Sequence, residues 1–483
     1  MSITGNLYKI YLNSPEFMKK MVGGVYKYIP KQITYGEKFF ENYNLVKEFE
    51  TASKGKISQY QNEKFKEIVK FAYNNVEFYK ELYDKNNVDI NDINSLEDIT
   101  KLPIITKEQI MESGEKIISK SSNKNKLRYI TTGGTSGKPM GIYTDYDNEI
   151  IEWANVVAFW SRIGYKLDSS RAVFRGKKLP NIHKGKYYYY DPIKKELSIS
   201  TFHMNDKNMY EFYNKLNEYK PEFFHGYMSA IVTFTNFLKK NNLKLKYKLK
   251  AILATSENIY DHQRKFTEEY YGTRVFSFYG HTERLIFAGE CEQSTNYHVN
   301  PIYGIAEIID KNNNTVEPGD NGELVGTGFF NKHMPLIRYK TGDIARFKKD
   351  NECECGRNHQ IIERVEGRWR QEMLVKDDGT LFSMTALNIH SEIASIIEKF
   401  QFYQDTPGKI IMNIIPLENA SEYEIDILIN EITNKIGEGI TIDVKIVDEI
   451  ENKKNCKFTF VNQKLNIDNY NLKGDLNDKN SWK

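Results

Sequence analysis

Nine consecutive residues, Thr131-Thr132-Gly133-Gly134-Thr135-Ser136-Gly137-Lys138-Pro139, constrain this chain more than any other feature. Glycines among hydroxyl side chains let backbone N–H groups converge on an anion, and Lys138 adds a positive charge. The run is not a Walker loop, whose spacing would need Gly where Thr132 stands and Ser or Thr where Pro139 stands. Residues 127–130 before it and 140–144 after it read as strands, so the loop joins two strands and does not open a helix. Taken alone, a flexible Gly/Ser hairpin explains the run as well as a phosphate loop does.

The rest of the chain reads as two units, as 483 residues exceed one ordinary core. From residue 56 to about 84 apolar residues recur at helical spacing, among them Phe65, Ile68, Val69 and Ala72, then Phe78, Tyr79, Leu82 and Tyr83. Ser95 begins a Ser-x-x-Asp capping box for a short helix that Pro103 ends. Beyond the glycine-rich loop, helix-like segments at 149–163 and 208–219 alternate with short apolar strands at 171–174, 250–254 and 274–278. That alternation predicts a large layered α/β domain over residues 1–367. After about Arg368 the pattern changes: a strand at 372–375, the turn Asp377-Asp378-Gly379, a helix at 385–399, and strands at 409–415 and 441–447 around a helix at 422–436. This predicts a small α+β domain over 372–470, followed by a polar, disordered tail at 471–483. The opening residues, 1–55, mix Lys with Tyr, Phe, Met and Ile and read as a helical extension packed on its own domain. Peripheral contact with a membrane surface or a partner is the other reading of that loosely amphipathic stretch.

Bulk composition excludes several classes. Lys plus Arg number 68 against 65 Asp plus Glu, and a net +3 gives no footing for nucleic-acid binding. No run approaches the roughly 18–20 apolar residues of a membrane span, and the start lacks the basic-then-apolar order of a secretory signal. Four cysteines, Cys291, Cys353, Cys355 and Cys456, are too few for a disulfide scaffold, and the expectation is a cytoplasmic protein.

Two further motifs carry chemistry. Ser277-Phe278-Tyr279-Gly280-His281-Thr282-Glu283 follows a strand; its ring can stack on a base, its hydroxyl can reach a phosphate, and its carboxylate can hold Mg²⁺. Arg338-Tyr339-Lys340-Thr341-Gly342-Asp343 places a carboxylate after a tight turn, where it can accept from ribose hydroxyls. Read singly, these are also an ordinary strand end with a capped helix and an ordinary β-turn.

In this order, the three motifs resemble those of the adenylate-forming superfamily, and within it the phenylacetate–coenzyme A ligase-like group. The resemblance extends upstream through FKEIVKFAYNNVEFYKELY and downstream through VEGRWRQEMLVKDDGTLFSMTALN, and so covers roughly residues 55–465. Phe400 to Gln404 (FQFYQ) looks like the CapK-like branch, associated with capsular polysaccharide biosynthesis.

The resemblance implies roles residue by residue. Thr132, Thr135, Ser136 and Lys138 match the loop that holds ATP phosphates. Ser256 and Glu257 fall at the second adenine-contacting turn, and Gly280 follows Tyr279, which matches the ring stacked on adenine. Thr282 matches an α-phosphate contact, Glu283 the Mg²⁺ ligand, Asp343 the ribose-binding carboxylate. Arg368 matches the hinge arginine, with residues 368–371 as the swivel; relatives carry Asp there, and this chain reads Trp369-Arg370-Gln371. Gly226 and Tyr227 fall near the acyl pocket. Lys457 matches the catalytic lysine, which bridges the carboxylate and the α-phosphate as charge develops; Lys453 and Lys454 are neighbouring alternatives, and a solvated basic turn is the structural one.

Cys353-x-Cys355-Gly356 is a sharp turn bearing two soft ligands, and Cys291 with His298 could complete tetrahedral Zn²⁺. Unpaired buried thiols and a surface histidine are the alternative; some relatives of this group carry a structural metal there. The expected activity is activation of a small-molecule carboxylic acid with ATP and Mg²⁺ to an acyl-AMP, with transfer to coenzyme A. An amine or sugar acceptor in surface-polysaccharide assembly is the second reading, and a non-catalytic nucleotide-binding scaffold the third.

Overall fold

The computed structural model describes all residues except 1–10, 12–13, 27, 132–139, 177–178, 181, 183–184, 258, 260, 367–372, 384–396, 417–419, 437–438, 451–460, 468–469 and 471–483. Its N-terminal helices follow from their apolar spacing. The helix Lys54–Asn75 is capped by Ser53, whose Oγ accepts from the Lys56 N–H, and buries Ile57, Phe65, Ile68, Val69 and Ala72. The helical spacing read over residues 56 to about 84 is realised as two helices. Val76 is extended at φ −123°, ending the first, and Glu77–Lys85 follows with Tyr79 and Tyr83 one turn apart and buried. Tyr79 fixes this pair to the body: its Oη donates to the Pro335 carbonyl at 3.1 Å and accepts from the Ile337 N–H at 2.9 Å. The capping box at Ser95 forms as read, on the 3₁₀ segment Leu96–Lys101.

Strands β1 (Arg128–Thr131) and β2 (Gly141–Thr144) pair antiparallel, so the glycine-rich loop does join two strands. A twelve-stranded sheet follows. Its strands are β3 (Arg171–Arg175), β4 (Tyr188–Asp191), β5 (Glu196–Ser200), β6 (Phe223–Gly226), β7 (Ala251–Ala254), β8 (Val275–Tyr279), β9 (Ala288–Gly289), β10 (Tyr297–Val299), β11 (Gly304–Ile309), β12 (Asn321–Gly328), β13 (Tyr339–Phe347) and β14 (Ile361–Glu366). Their spatial order is β11-β12-β13-β14-β10-β9-β8-β7-β6-β3-β5-β4. The run β5-β3-β6-β7-β8 is parallel and everything beyond β8 is antiparallel.

Of the parallel strands, β5, β6 and β7 are buried along their whole length, which requires a layer on each face. Alternate residues supply it. Phe224 and Ile252 face Phe212, Phe234 and Leu238 of the helices Asp206–Tyr219 and Met228–Lys240. Phe223 and Leu253 face Phe159 and Trp160 of the helix Tyr146–Trp160. The layered α/β class expected from the sequence is the class observed.

The C-terminal part is a hairpin of β15 (Met373–Val375) and β16 (Leu381–Ser383) and a sheet of β17 (Ile397–Thr406), β18 (Lys409–Pro416), β19 (Thr441–Ile446) and β20 (Val461–Gln463), in the order β19-β18-β17-β20. The helix Glu422–Ile436 packs Leu428 and Ile432 over Phe402, Ile410, Met412 and Ile414. Gln404, fully buried, accepts from the Val375 N–H and donates to its carbonyl, tying the hairpin to the sheet. The expected helix over 385–399 fails at its end: residues 397–399 are strand, because β17 pairs with β18 from Ile397 onward. Residues 385–396 and the expected tail lie outside the described residues.

Candidate functional site

The carboxyl ends of parallel strands, where strand direction changes, are where open α/β sheets bind ligands. Here that edge presents Arg175 from β3, Gly226 from β6, Ala254 from β7 and Tyr279 from β8. Gly226 has no substitute: at φ +149° a Cβ would stand 2.0 Å from the Phe174 carbonyl oxygen. That close approach lets the Tyr227 N–H donate to the same carbonyl at 2.9 Å and turn the chain into the helix Met228–Lys240.

Glu257 closes the start of that helix. Its carboxylate accepts from the Ser229 N–H and the Ser229 hydroxyl, both at 2.8 Å. Burial pushes its carboxyl up to about 7 in spite of these bonds. Ser256 beside it sits in the left-handed region at φ 63°, a conformation non-glycine residues adopt rarely. Its hydroxyl lies 3.4 Å from Arg175 Nη2. Ser256 and Glu257, read as an adenine turn, therefore stand beside Gly226 and Tyr227, read as acyl pocket.

The second and third motifs meet. Tyr279 Oη donates to Asp343 Oδ2 at 2.8 Å, across 64 residues of sequence. Burial, then the adjacent carboxylate, drives the Tyr279 phenol well above its ordinary value, so it stays a donor. Asp343 is presented by a bulge. β12 and β13 pair at Val325–Lys340 and again at Glu323–Ile344, so Thr341, Gly342 and Asp343 bow out of the ladder. Gly342 takes φ 77°, Thr341 Oγ1 donates to the Leu324 carbonyl, and the Asp343 N–H donates to Thr341 Oγ1. The tight turn read there from the sequence is a strand bulge. Arg338, at its base, is a strut: buried, it pairs with both oxygens of Glu307 and donates to the Leu102 carbonyl at 2.6 Å.

Met140, the first described residue after the glycine-rich run, meets the third motif: Tyr339 Oη donates to Met140 Sδ at 3.9 Å. Thr132, Thr135, Ser136 and Lys138 themselves lie outside the described residues, as do Arg368 and Lys457.

After Tyr279 the chain turns through Gly280, His281 and Thr282 into β9, with no helix. Burial pushes the Glu283 carboxyl up, but His281, with Lys107 further off, prevails and holds it below the ordinary carboxylate value. It is an ionised, hard oxygen donor of the kind Mg²⁺ takes. His281 Nδ1 lies 3.4 Å from Glu283 Oε2, an ion-pair distance without hydrogen-bond geometry. Both of its ring nitrogens are buried with no hydrogen-bond partner among the described residues, and so is Arg284 Nη1. Sequence reading assigned no role to Arg175, His281 or Arg284. For His281 a signal existed, its place inside the second motif; for Arg175 none did.

Cys291, His298, Cys353 and Cys355 come together with all four ligand atoms within 4.8 Å of one another. Cys291 and Cys353 sulfurs are 3.5 Å apart, and Cys355 Sγ is 3.6 Å from His298 Nε2. A tetrahedron with Zn–S near 2.3 Å and Zn–N near 2.0 Å has edges of about 3.5–3.8 Å. The Ser294 N–H donates to Cys291 Sγ at 3.2 Å. The donor set and spacing fit a closed zinc site. The two halves meet because β9, β10 and β14 are sheet neighbours.

Residues 374–464 match the family model of the CapK C-terminal domain. The chain is 26% identical to Protein CapK of Staphylococcus aureus over 86% of this chain and 90% of that one. It is 25% identical to a phenylacetate-coenzyme A ligase of Thermus thermophilus over 68% of this chain and 74% of that one. Among solved structures, 2-hydroxyisobutyryl-CoA ligase in complex with 2-HIB-AMP and CoA aligns with a TM-score of 0.58 at 15% identity, covering 86% of this chain and 91% of that one. The fold is that of these acyl-CoA ligases, and the resemblance to CapK and to phenylacetate–coenzyme A ligases read from the motifs is upheld.

Proposed function

We propose that this chain is an ATP-dependent ligase that converts a carboxylic acid to its acyl-AMP and passes the acyl group to coenzyme A. The observation that carries this reading is the hydrogen bond from Tyr279 to Asp343, with Met140 against Tyr339: turns far apart in sequence converge at the switch point of the sheet.

Asp343 receives the ribose hydroxyls, Tyr279 offers its ring to adenine, and Thr282 with the loop residues Thr132, Thr135, Ser136 and Lys138 takes the phosphates. Mg²⁺, when bound, neutralises phosphate charge, and the Glu283 carboxylate would hold it. The acid lies by Gly226 and Tyr227 at the ends of β3, β6 and β7. Its carboxylate oxygen attacks the α-phosphorus, the bond to the bridging oxygen breaks, and pyrophosphate leaves. Lys457 balances the charge that develops. The chain contributes positioning and electrostatics and no covalent intermediate. In the second step the thiolate of coenzyme A attacks the acyl carbon and AMP departs, after the segment from 372 onward has swung about residues 368–371. Cys291, His298, Cys353 and Cys355 would hold Zn²⁺ as a structural ion, since four protein ligands leave no open position.

The match of residues 374–464 to the CapK C-terminal domain favours a second reading, in which the same activation serves an amine or sugar acceptor of a surface glycan. Acid-dependent exchange of pyrophosphate into ATP over a panel of acids tests the activation. Thioester formation with free coenzyme A then separates the acceptors. An absence of exchange with every acid would leave only a nucleotide-binding scaffold.

A further inference from the structure

The helix Glu16–Tyr26 is held by one face and bare on the other. Its held face meets β4, the edge strand of the large sheet. Gly23 lies so close to Pro192 that a Cβ would stand 2.6 Å from the proline Cβ, and the Lys19 ammonium sits 4.7 Å over the Tyr189 ring. Just before the helix, Tyr11 Oη donates to Asp191 at 3.0 Å. At about 100° per residue, the bare face is an arc of about 140° that holds positions 17, 18, 21, 22 and 25. Phe17, Met21 and Val25 are 66–68% exposed and Met18 and Val22 43%. The patch continues into Tyr28 and Ile33, 78% and 74% exposed. Seven large apolar side chains on so short a stretch far exceed the scattered exposures of an ordinary surface.

Charge narrows what covers them. Residues 11–35 hold Lys19, Lys20, Lys27 and Lys31 against a single acid, Glu16. Lys19 is taken up by Tyr189 on the held face, which leaves Lys20, Lys27 and Lys31 against Glu16, a net +2 on this short stretch, and position 20 borders the apolar arc. An apolar helical face next to basic residues suits the plane where lipid headgroups meet acyl chains, with anionic headgroups opposite those three lysines. No helix among the described residues is long and apolar enough to cross a membrane. We propose that this helix lays its Phe17–Met21–Val25 face on an anionic bilayer surface and docks the large domain there, as a peripheral contact. The anchorage to β4 makes the docking rigid, so the sheet and the site at its strand ends are held at a fixed attitude to the lipid.

Flotation of the full chain with vesicles tests this, using phosphatidylcholine alone and phosphatidylcholine with about one quarter phosphatidylglycerol. The expected result is binding to the anionic vesicles, weakened by salt, and at least about tenfold weaker for the combined Phe17→Ser, Met21→Ser and Val25→Ser variant, whose side chains make little of the core. Circular dichroism of the variant should be unchanged. A chain that stays unbound with anionic vesicles, or a variant that binds as well as the parent, overturns the proposal. Concentration-dependent self-association lost in the variant, without flotation, would assign the face to a second copy and also overturn it.

Discussion

Replacing Glu50 by glutamine is expected to lower the stability of the large unit by about 3 kcal/mol at neutral pH, and by less than half of that at pH 3. Glu50 is 6% exposed and takes a fork of bonds from Arg162, with Nη2 at 2.6 Å, and a further one from Arg357 Nε at 2.5 Å. Burial pushes its carboxyl up, but the two guanidinium groups prevail and hold it at about 2 against an ordinary 4.5. The difference between 4.5 and about 2, at roughly 1.36 kcal/mol for each tenfold change in proton affinity, is about 3.4 kcal/mol. The folded value is the lower one, so the stabilisation is fully present above pH 4.5 and is lost as pH falls from 4.5 through 2. At pH 3 roughly 1.4 kcal/mol remains by the same linkage. Glutamine does not titrate, so the difference between parent and variant isolates this group. Urea unfolding read by tryptophan fluorescence is a suitable assay, because Trp153 and Trp160 pack together in the helix that leads to Arg162. A difference that stays the same at pH 7 and pH 3, or a variant as stable as the parent at pH 7, would show that the pair does not carry this energy.

Asp343→Asn should weaken ATP binding about 10- to 100-fold by calorimetry, the worth of a charge-assisted hydrogen bond, while the melting temperature hardly moves. Lys457→Ala should abolish acid-dependent pyrophosphate exchange yet leave ATP binding within about twofold, in keeping with a charge used only at the transition state; near-normal exchange would move the role to Lys453 or Lys454. Elemental analysis should find about one zinc per chain, and Cys353→Ser should lower both zinc content and melting temperature. Less than about a tenth of an equivalent in the parent protein counts against the metal.

What could be read from the sequence was local. The capping box at Ser95, the strand before Tyr279, the loop between two strands and the helix at 422–436 each depend on neighbours within a few residues, and each formed. Failures came where pairing outweighed local pattern. Residues 397–399 carry a helical continuation, but β18 takes them as strand. Val76 is apolar in helical register and still breaks the helix, because its extended backbone lets Tyr79 reach both Pro335 and Ile337. Arg175 was invisible for a different reason. Its companions Tyr227 and Ser256 come from the ends of β6 and β7, and only the parallel pairing of β3 with β6 and β7 with β6 brings them to it. The four metal-ligand candidates were legible by residue type alone, and became a site only through the order β14-β10-β9.

β13 links the two candidate centres. Its start bows out to carry Asp343 toward Tyr279, and its far end runs into the turn that holds Cys353 and Cys355. β14 returns from that turn and pairs with both β13 and β10, and β10 carries His298. Four ligands on one ion would therefore clamp β10 and the β13–β14 turn together, at the far end of the strand whose start carries Asp343. Arg357, two residues past Cys355, spans Glu50 and Glu292 and extends the clamp to the N-terminal helices. A metal held there would thus have a mechanical route to Asp343 and Tyr279, along β13.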